Sequence, residues 1–188
     1  MENYRTFVGL PLEVDLAFLK SRKQLMISLE SERISWVKPE NYHLTLRFLG
    51  DTPVSQTEQI REALGSGLIL PGVISQCFAG PGVFGPRKKP RVIWVGFRET
   101  EVFLDLKKQV DTILESCGIP PEEHGFTPHI TLGRIRSIMD RSAFHESMES
   151  FKGGFRTRVR SKRVIFYRSI LGPEGPRYTS LGEYPFMV

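Results

Sequence analysis

The chain has 188 residues, 40% hydrophobic and 25% charged, with 26 Lys and Arg against 21 Asp and Glu and a formal net charge of +5. That length holds one domain, or two small lobes sharing a core, and the balance is that of a globular protein rather than a disordered or fibrous one. No stretch approaches the roughly 20 apolar residues of a membrane span, and no signal-type apolar run follows the first residues, so a cytoplasmic protein away from membranes is expected, with the positive charge favouring polyanionic partners.

In chain order, Arg5 to Leu10 reads as a short strand and Val14 to Leu29 as an amphipathic helix with Leu16, Leu19, Leu25 and Leu29 on its apolar face. Ile34 to Val37 is a brief extended piece. Tyr42 to Leu49 alternates with the strand period, and Gly50-Asp51-Thr52-Pro53 opens a second helix running to about Leu64. Val73 to Phe78 is a strand, Gly80 to Pro86 a turn-rich connection, and Arg91 to Phe97 another strand. The order then recurs: a helix over Glu101 to Cys117, a strand over Pro128 to Ile135, a helix over Asp140 to Phe151, and a closing strand pair, Val159 to Leu171 with Arg177 to Tyr184. Cys77 and Cys117 have no Cys-x-x-Cys spacing and no histidine cluster, so they predict neither a disulfide framework nor a zinc site and read as small buried hydrophobes.

The recurrence carries a motif. His43-Leu44-Thr45-Leu46 and His129-Ile130-Thr131-Leu132 are two copies of His-x-Thr-Leu, 86 positions apart, in a chain with only four histidines. Residues two apart on a strand share a face, so His43 with Thr45 and His129 with Thr131 are polar pairs backed by apolar neighbours. The expected fold is α+β, a single two-lobed domain over residues 1–188 with an internal duplication at approximate halves 1–90 and 91–188. Each lobe is a small, mostly antiparallel sheet flanked by helices, and the motif strands face one another across a pseudo-twofold cleft. His124 and His145 are expected at the surface, His124 close enough to the second motif for a peripheral contact.

Two imidazoles in one cleft can divide a proton-transfer reaction, one accepting a proton from water and the other donating to a leaving oxygen, because both forms are accessible near neutral pH. The Thr hydroxyls can donate to the non-bridging oxygens of a phosphodiester. No Gly-x-Ser-x-Gly nucleophile motif is present, so water is the attacking group. No acidic spacing marks a metal site beside the histidines, and no cofactor is called for. Gly80 to Lys88 fails the P-loop pattern, since Pro86 stands where Lys is required.

With these motifs the sequence resembles the two-histidine (2H) phosphoesterases, most closely the bacterial and archaeal RNA 2′,3′-cyclic phosphodiesterases once called 2′-5′ RNA ligases. The likeness runs through Thr6 to Leu10, Trp36 to Gly50, Arg91 to Gly96, Phe126 to Arg134, Tyr167 to Leu171 and Gly175 to Tyr178. It implies hydrolysis of a terminal 2′,3′-cyclic phosphate to a 2′-phosphate, with His43 as general acid on the leaving 3′ oxygen and His129 as general base on water. It implies phosphate contacts from Thr45 and Thr131, an aromatic near the base at Phe48, and a cation near the phosphate at Arg134. Strand parity sets Phe48 and Arg134 out of phase with their motifs, so they reach the cleft only if the strands end or bulge there, and by parity alone Arg47 is the better cleft cation.

RNA 3′ ends or cyclic nucleotides are the implied partners, and a monomer is expected. Recognition of RNA ends would use stacking and phosphate contacts. Two basic patches are candidates: Arg87, Lys88, Lys89 and Arg91, and the set Arg156, Arg158, Arg160, Lys162 and Arg163. Two other readings stay open at this point: reversible 2′-5′ ligation at the same site, and a non-catalytic RNA-end-binding module.

Overall fold

The computed structural model describes residues 2–123, 125–155, 157–173 and 175–187, so that His124 and Arg156 lie outside the described residues. The elements are β1 (Asn3–Pro11), β2 (Glu13–Val14), α1 (Leu16–Ser28), β3 (Arg33–Trp36), β4 (His43–Pro53), α2 (Val54–Gly67), β5 (Ile74–Phe84) and β6 (Val92–Phe97). There follow α3 (Glu101–Ser116), β7 (His129–Ser137), α4 (Arg141–Ser150), β8 (Arg158–Ser161), β9 (Arg163–Gly172) and β10 (Gly175–Pro185). Asp15 and Asp140 cap α1 and α4, each accepting backbone N–H bonds from the first helical turn. α1 begins two residues later than its pattern suggested, and Leu16, in its first turn, faces solvent while Phe18 and Leu25 enter the core. No described helix is long and apolar enough to cross a membrane.

The architecture is α+β, with two antiparallel sheets, one ordered β10-β9-β1-β4 and the other β2-β8-β5-β6-β7-β3. Each motif strand ends a matching trio, β9-β1-β4 for the first copy and β5-β6-β7 for the second. In the first trio β9 comes from late in the chain, and in the second β5 comes from early. The sheets are therefore interleaved in sequence and do not divide at residue 90, because each half lends a strand to the other's sheet. One apolar cluster follows, running from Val8, Leu10, Leu44 and Leu46 to Ile93, Val95, Ile130 and Leu132.

Three expectations change. The turn-rich stretch is largely strand: β5 continues to Phe84, pairing Gly80 with Gly96, Gly82 with Trp94 and Phe84 with Val92. Gly82 serves the sheet here, since a Cβ at that position would meet the Trp94 ring at 2.4 Å. Pro81 is tolerated because β8 covers β5 only over Ile74 to Cys77. The long closing strand is broken at Lys162, with β8 joining the six-stranded sheet and β9 the four-stranded one. Cys117 is buried, but Cys77 is only half-buried.

Candidate active site

Both motif strands carry the same irregularity. On β1, Pro11, Leu10 and Gly9 pair with His43, Leu44 and Thr45, and the next partner of Val8 is Arg47, so Leu46 is an extra residue. On β6, Gly96, Val95 and Trp94 pair with His129, Ile130 and Thr131, and Ile93 then pairs with Gly133, so Leu132 is the extra residue. A bulge inverts the side-chain alternation beyond it. Leu46 and Arg47 are both buried as a result, as are Leu132 and Gly133, while Phe48 and Arg134 rejoin the faces of their histidines.

The bulge overturns the parity argument for Arg47. That side chain is 5% exposed and turned behind the sheet, where it bonds the Asp111 carboxylate at 3.0 Å and donates to the Pro120 carbonyl. Lys107 joins it, holding Asp111 at 2.6 Å and Glu122 at 3.0 Å. Arg47 is thus a structural cation beneath the first motif, and Arg134 is the one that lines the cleft.

That cleft has a volume of about 470 Å³, within the range of small-ligand sites, and His43, Thr45, His129, Thr131 and Arg134 all line it. Lys38 and Arg136 add two further cations to its wall. The imidazoles are held alike: His43 Nδ1 lies 2.8 Å from the Asn41 carbonyl and His129 Nδ1 lies 2.7 Å from the Thr127 carbonyl. A carbonyl only accepts, so each Nδ1 carries the proton and each neutral ring keeps an unprotonated Nε2.

Aromatic rings wall both histidines. Phe7 and Tyr178 lie 4.9 and 5.0 Å from the His43 ring, and Phe84 stands edge-on to His129 at 4.8 Å while stacking on Trp94. These apolar walls have an electrostatic result. Burial lowers His43 to about 4 against the Asn41 hydrogen bond, helped by the charges of His129 and Arg134. Burial likewise lowers His129, opposed by its bond to Thr127 and assisted by Arg134. Both rings are therefore neutral at neutral pH. Burial also raises the Tyr178 phenol, which stays an O–H donor in the cleft wall.

The other candidates fall elsewhere. Phe48 lies further along the His43 face, 43% exposed, with the Arg5 guanidinium 4.7 Å from its ring centroid. Lys88 and Lys89 line a second groove beside the cleft, and Arg87 is exposed on the adjoining turn. Of the second basic patch, Lys162 and Arg163 are taken by Glu13 and Glu183, and Arg158 and Arg160 are exposed on β8. His145 is exposed on α4. Sequence reasoning missed Phe84, Tyr178 and Arg136. Phe84 was hidden by reading its segment as a turn, Tyr178 sat in the Gly175 to Tyr178 match without a role, and Arg136 follows Arg134 on one strand face once the bulge is known.

An α+β fold of two antiparallel sheets with two like-held imidazoles, paired hydroxyls and an arginine in one cleft defines a paired-histidine site. The LigT-like phosphoesterase family model matches residues 9–94 and 98–178, each segment containing one copy of the motif. The chain belongs to this family, which lies within the 2H superfamily. It is 30% identical over 188 residues to an RNA 2′,3′-cyclic phosphodiesterase of Aquifex aeolicus, covering 98% of each chain. It is 29% identical to one of Methanothermobacter thermautotrophicus, covering 94% of this chain and 96% of that one. Among solved structures it shares its fold with Escherichia coli LigT complexed with 3′-AMP, at a TM-score of 0.71, 20% identity and full coverage of both chains.

Proposed function

We propose that the protein hydrolyses 2′,3′-cyclic phosphate ends of RNA to 2′-phosphomonoesters by metal-independent acid–base catalysis. The observation that carries this reading is the pair of rings with Nδ1 bound to a carbonyl and Nε2 left unprotonated, lining one cleft of about 470 Å³ with Arg134. Relatives named RNA 2′,3′-cyclic phosphodiesterase support the substrate class.

In this mechanism His129 Nε2 takes a proton from water as the water oxygen bonds to phosphorus. The bond from phosphorus to O3′ breaks, and O3′ receives the proton of imidazolium His43. Solvent then returns both rings to their starting states. The Thr45 and Thr131 hydroxyls and the Arg134 guanidinium stabilise charge on the non-bridging oxygens. Because burial disfavours the charged form of both rings, the bound phosphodiester anion is what draws a proton onto His43. The substrate thus assembles its own acid.

The test is incubation of the purified protein with an oligonucleotide bearing a 2′,3′-cyclic phosphate in the presence of chelator, followed by identification of the phosphomonoester. A 2′-phosphate product, lost in His43→Ala and in His129→Ala, is expected. No turnover, a 3′-phosphate product, or full turnover in either variant overturns the reading.

A further inference from the structure

Beside the cleft lies a second groove of about 270 Å³, whose wall includes Lys88, Lys89, Arg91, Arg136 and Arg141. Arg136 lines both cavities, so the two adjoin at that side chain. It is pinned there by donation from Nε to the Ser35 hydroxyl at 3.1 Å. Arg134 and Arg136 stand two residues apart on one face of β7, about 7 Å along the strand. Cationic groups therefore step from the phosphate site outward into the groove.

The lysines ride on a fixed turn. Lys89 N–H bonds the Pro86 carbonyl and Arg91 N–H bonds the Phe84 carbonyl, both at 2.7 Å, and the Arg91 carbonyl accepts from Ile135 N–H at 2.8 Å. The turn is thereby tied to the second motif strand itself. The groove lining holds five cations and, among the described residues, no Asp or Glu, and none of the five forms an ion pair with a carboxylate. Five like charges left unpaired around a concavity repel one another, and a polyanion relieves that repulsion.

We infer that the groove is a second anion site, holding backbone phosphates of the nucleotides 5′ to the cyclic end, so that the preferred substrate is an oligonucleotide and not a cyclic mononucleotide. The inference rests on the proposed function for its geometry: a terminal cyclic phosphate between the histidines leaves the chain only its 5′ direction in which to run. Single-stranded binding of this kind tracks the backbone and is strongly salt-dependent.

The experiment compares a nucleoside 2′,3′-cyclic monophosphate with a short oligonucleotide carrying the same terminal group, using the wild-type chain and Lys88→Gln/Arg141→Gln. Both side chains are exposed and neither lines the cleft. For the oligonucleotide, KM should rise about tenfold in the variant with kcat unchanged, and the slope of log affinity against log salt should shrink by about 0.7 for each phosphate no longer neutralised. Mononucleotide kinetics should be unchanged. Equal KM for both substrates in the wild type, or an oligonucleotide KM and salt slope untouched by the variant, overturns the groove while leaving the catalytic reading standing. If the wild type turns over neither substrate, the catalytic reading fails. Fluorescence anisotropy with the labelled oligonucleotide then decides the groove alone, and equal affinity of wild type and variant rejects it.

Discussion

The two motif strands are alike up to the bulge and unlike after it. In β4 and β7 the same tetrapeptide is held by a carbonyl two residues upstream of its histidine, and the same Leu is extruded at position four. Beyond that point, the histidine-bearing face carries Phe48 on one strand, outside the cleft lining, and Arg134 on the other, within it, and the back face carries Arg47 on one and Gly133 on the other. The difference follows from what covers each strand. β4 is the edge of its sheet, so its back-face residue meets the charged cluster of Asp111, Lys107 and Glu122. β7 is sealed by β3, and a Cβ at Gly133 would lie 2.7 Å from Ile34 Cγ2 and 3.1 Å from the Trp36 ring. Symmetry supplies the two like-held imidazoles, and its breaking leaves β7 as the one motif strand of the two that places arginines in the cleft wall.

The largest effects should come from the symmetric part. Replacing either His43 or His129 by alanine should lower kcat by about 10²- to 10⁴-fold with little change in melting temperature, and the double variant should fall far short of the product of the two losses. Steady-state kinetics on all three variants checks this, and multiplicative losses would mean that the rings act separately.

The asymmetric part should separate stability from activity. Arg134→Ala should cost about 10²-fold in kcat and leave the melting temperature within a degree or two. Arg47→Ala should do the reverse, with about 3 kcal/mol of stability lost as Asp111 gives up one partner, and kcat kept below the melting transition. Thermal melts paired with kinetics decide it, and loss of activity in a folded Arg47→Ala protein would restore that residue to the site. The hydroxyls are expected to contribute least, with Thr45→Val and Thr131→Val each slowing kcat by about tenfold.

The depressed histidines have a thermodynamic signature. His43 is lowered in the fold to about 4, so below the unfolded value near 6.5 the unfolded chain binds a proton that the native ring refuses. Stability should accordingly fall between pH 6.5 and 4, and His43→Gln should flatten that fall in chemical denaturation. An unchanged pH dependence in the variant would show the ring to be freely solvated.

Much of this was legible in the chain, and what was not has a common cause. The paired motifs, their apolar backing at Leu44, Leu46, Ile130 and Leu132, and the α+β class follow from local periodicity. The bulges do not, because an extra residue at Leu46 or Leu132 is defined by the register of β1 and β6, more than thirty positions away in each case. Hence parity placed Arg47 in the cleft and put Arg134 in doubt. The same non-local logic turned Gly82 from a turn residue into the seat of the Trp94 ring, and split the final strand at Lys162 between two sheets.

The division of labour between the two rings is tested most directly by the pH dependence of kcat/KM in the wild type and the two alanine variants. The wild type should give a bell with its optimum below pH 6.5, since burial lowers both rings in the free protein. With the acid gone, His43→Ala should retain only a rise with pH as His129 loses its proton. With the base gone, His129→Ala should retain only a fall as His43 loses its own. Profiles with those slopes exchanged would reverse the roles, and a bell surviving in both variants would contradict paired-histidine catalysis.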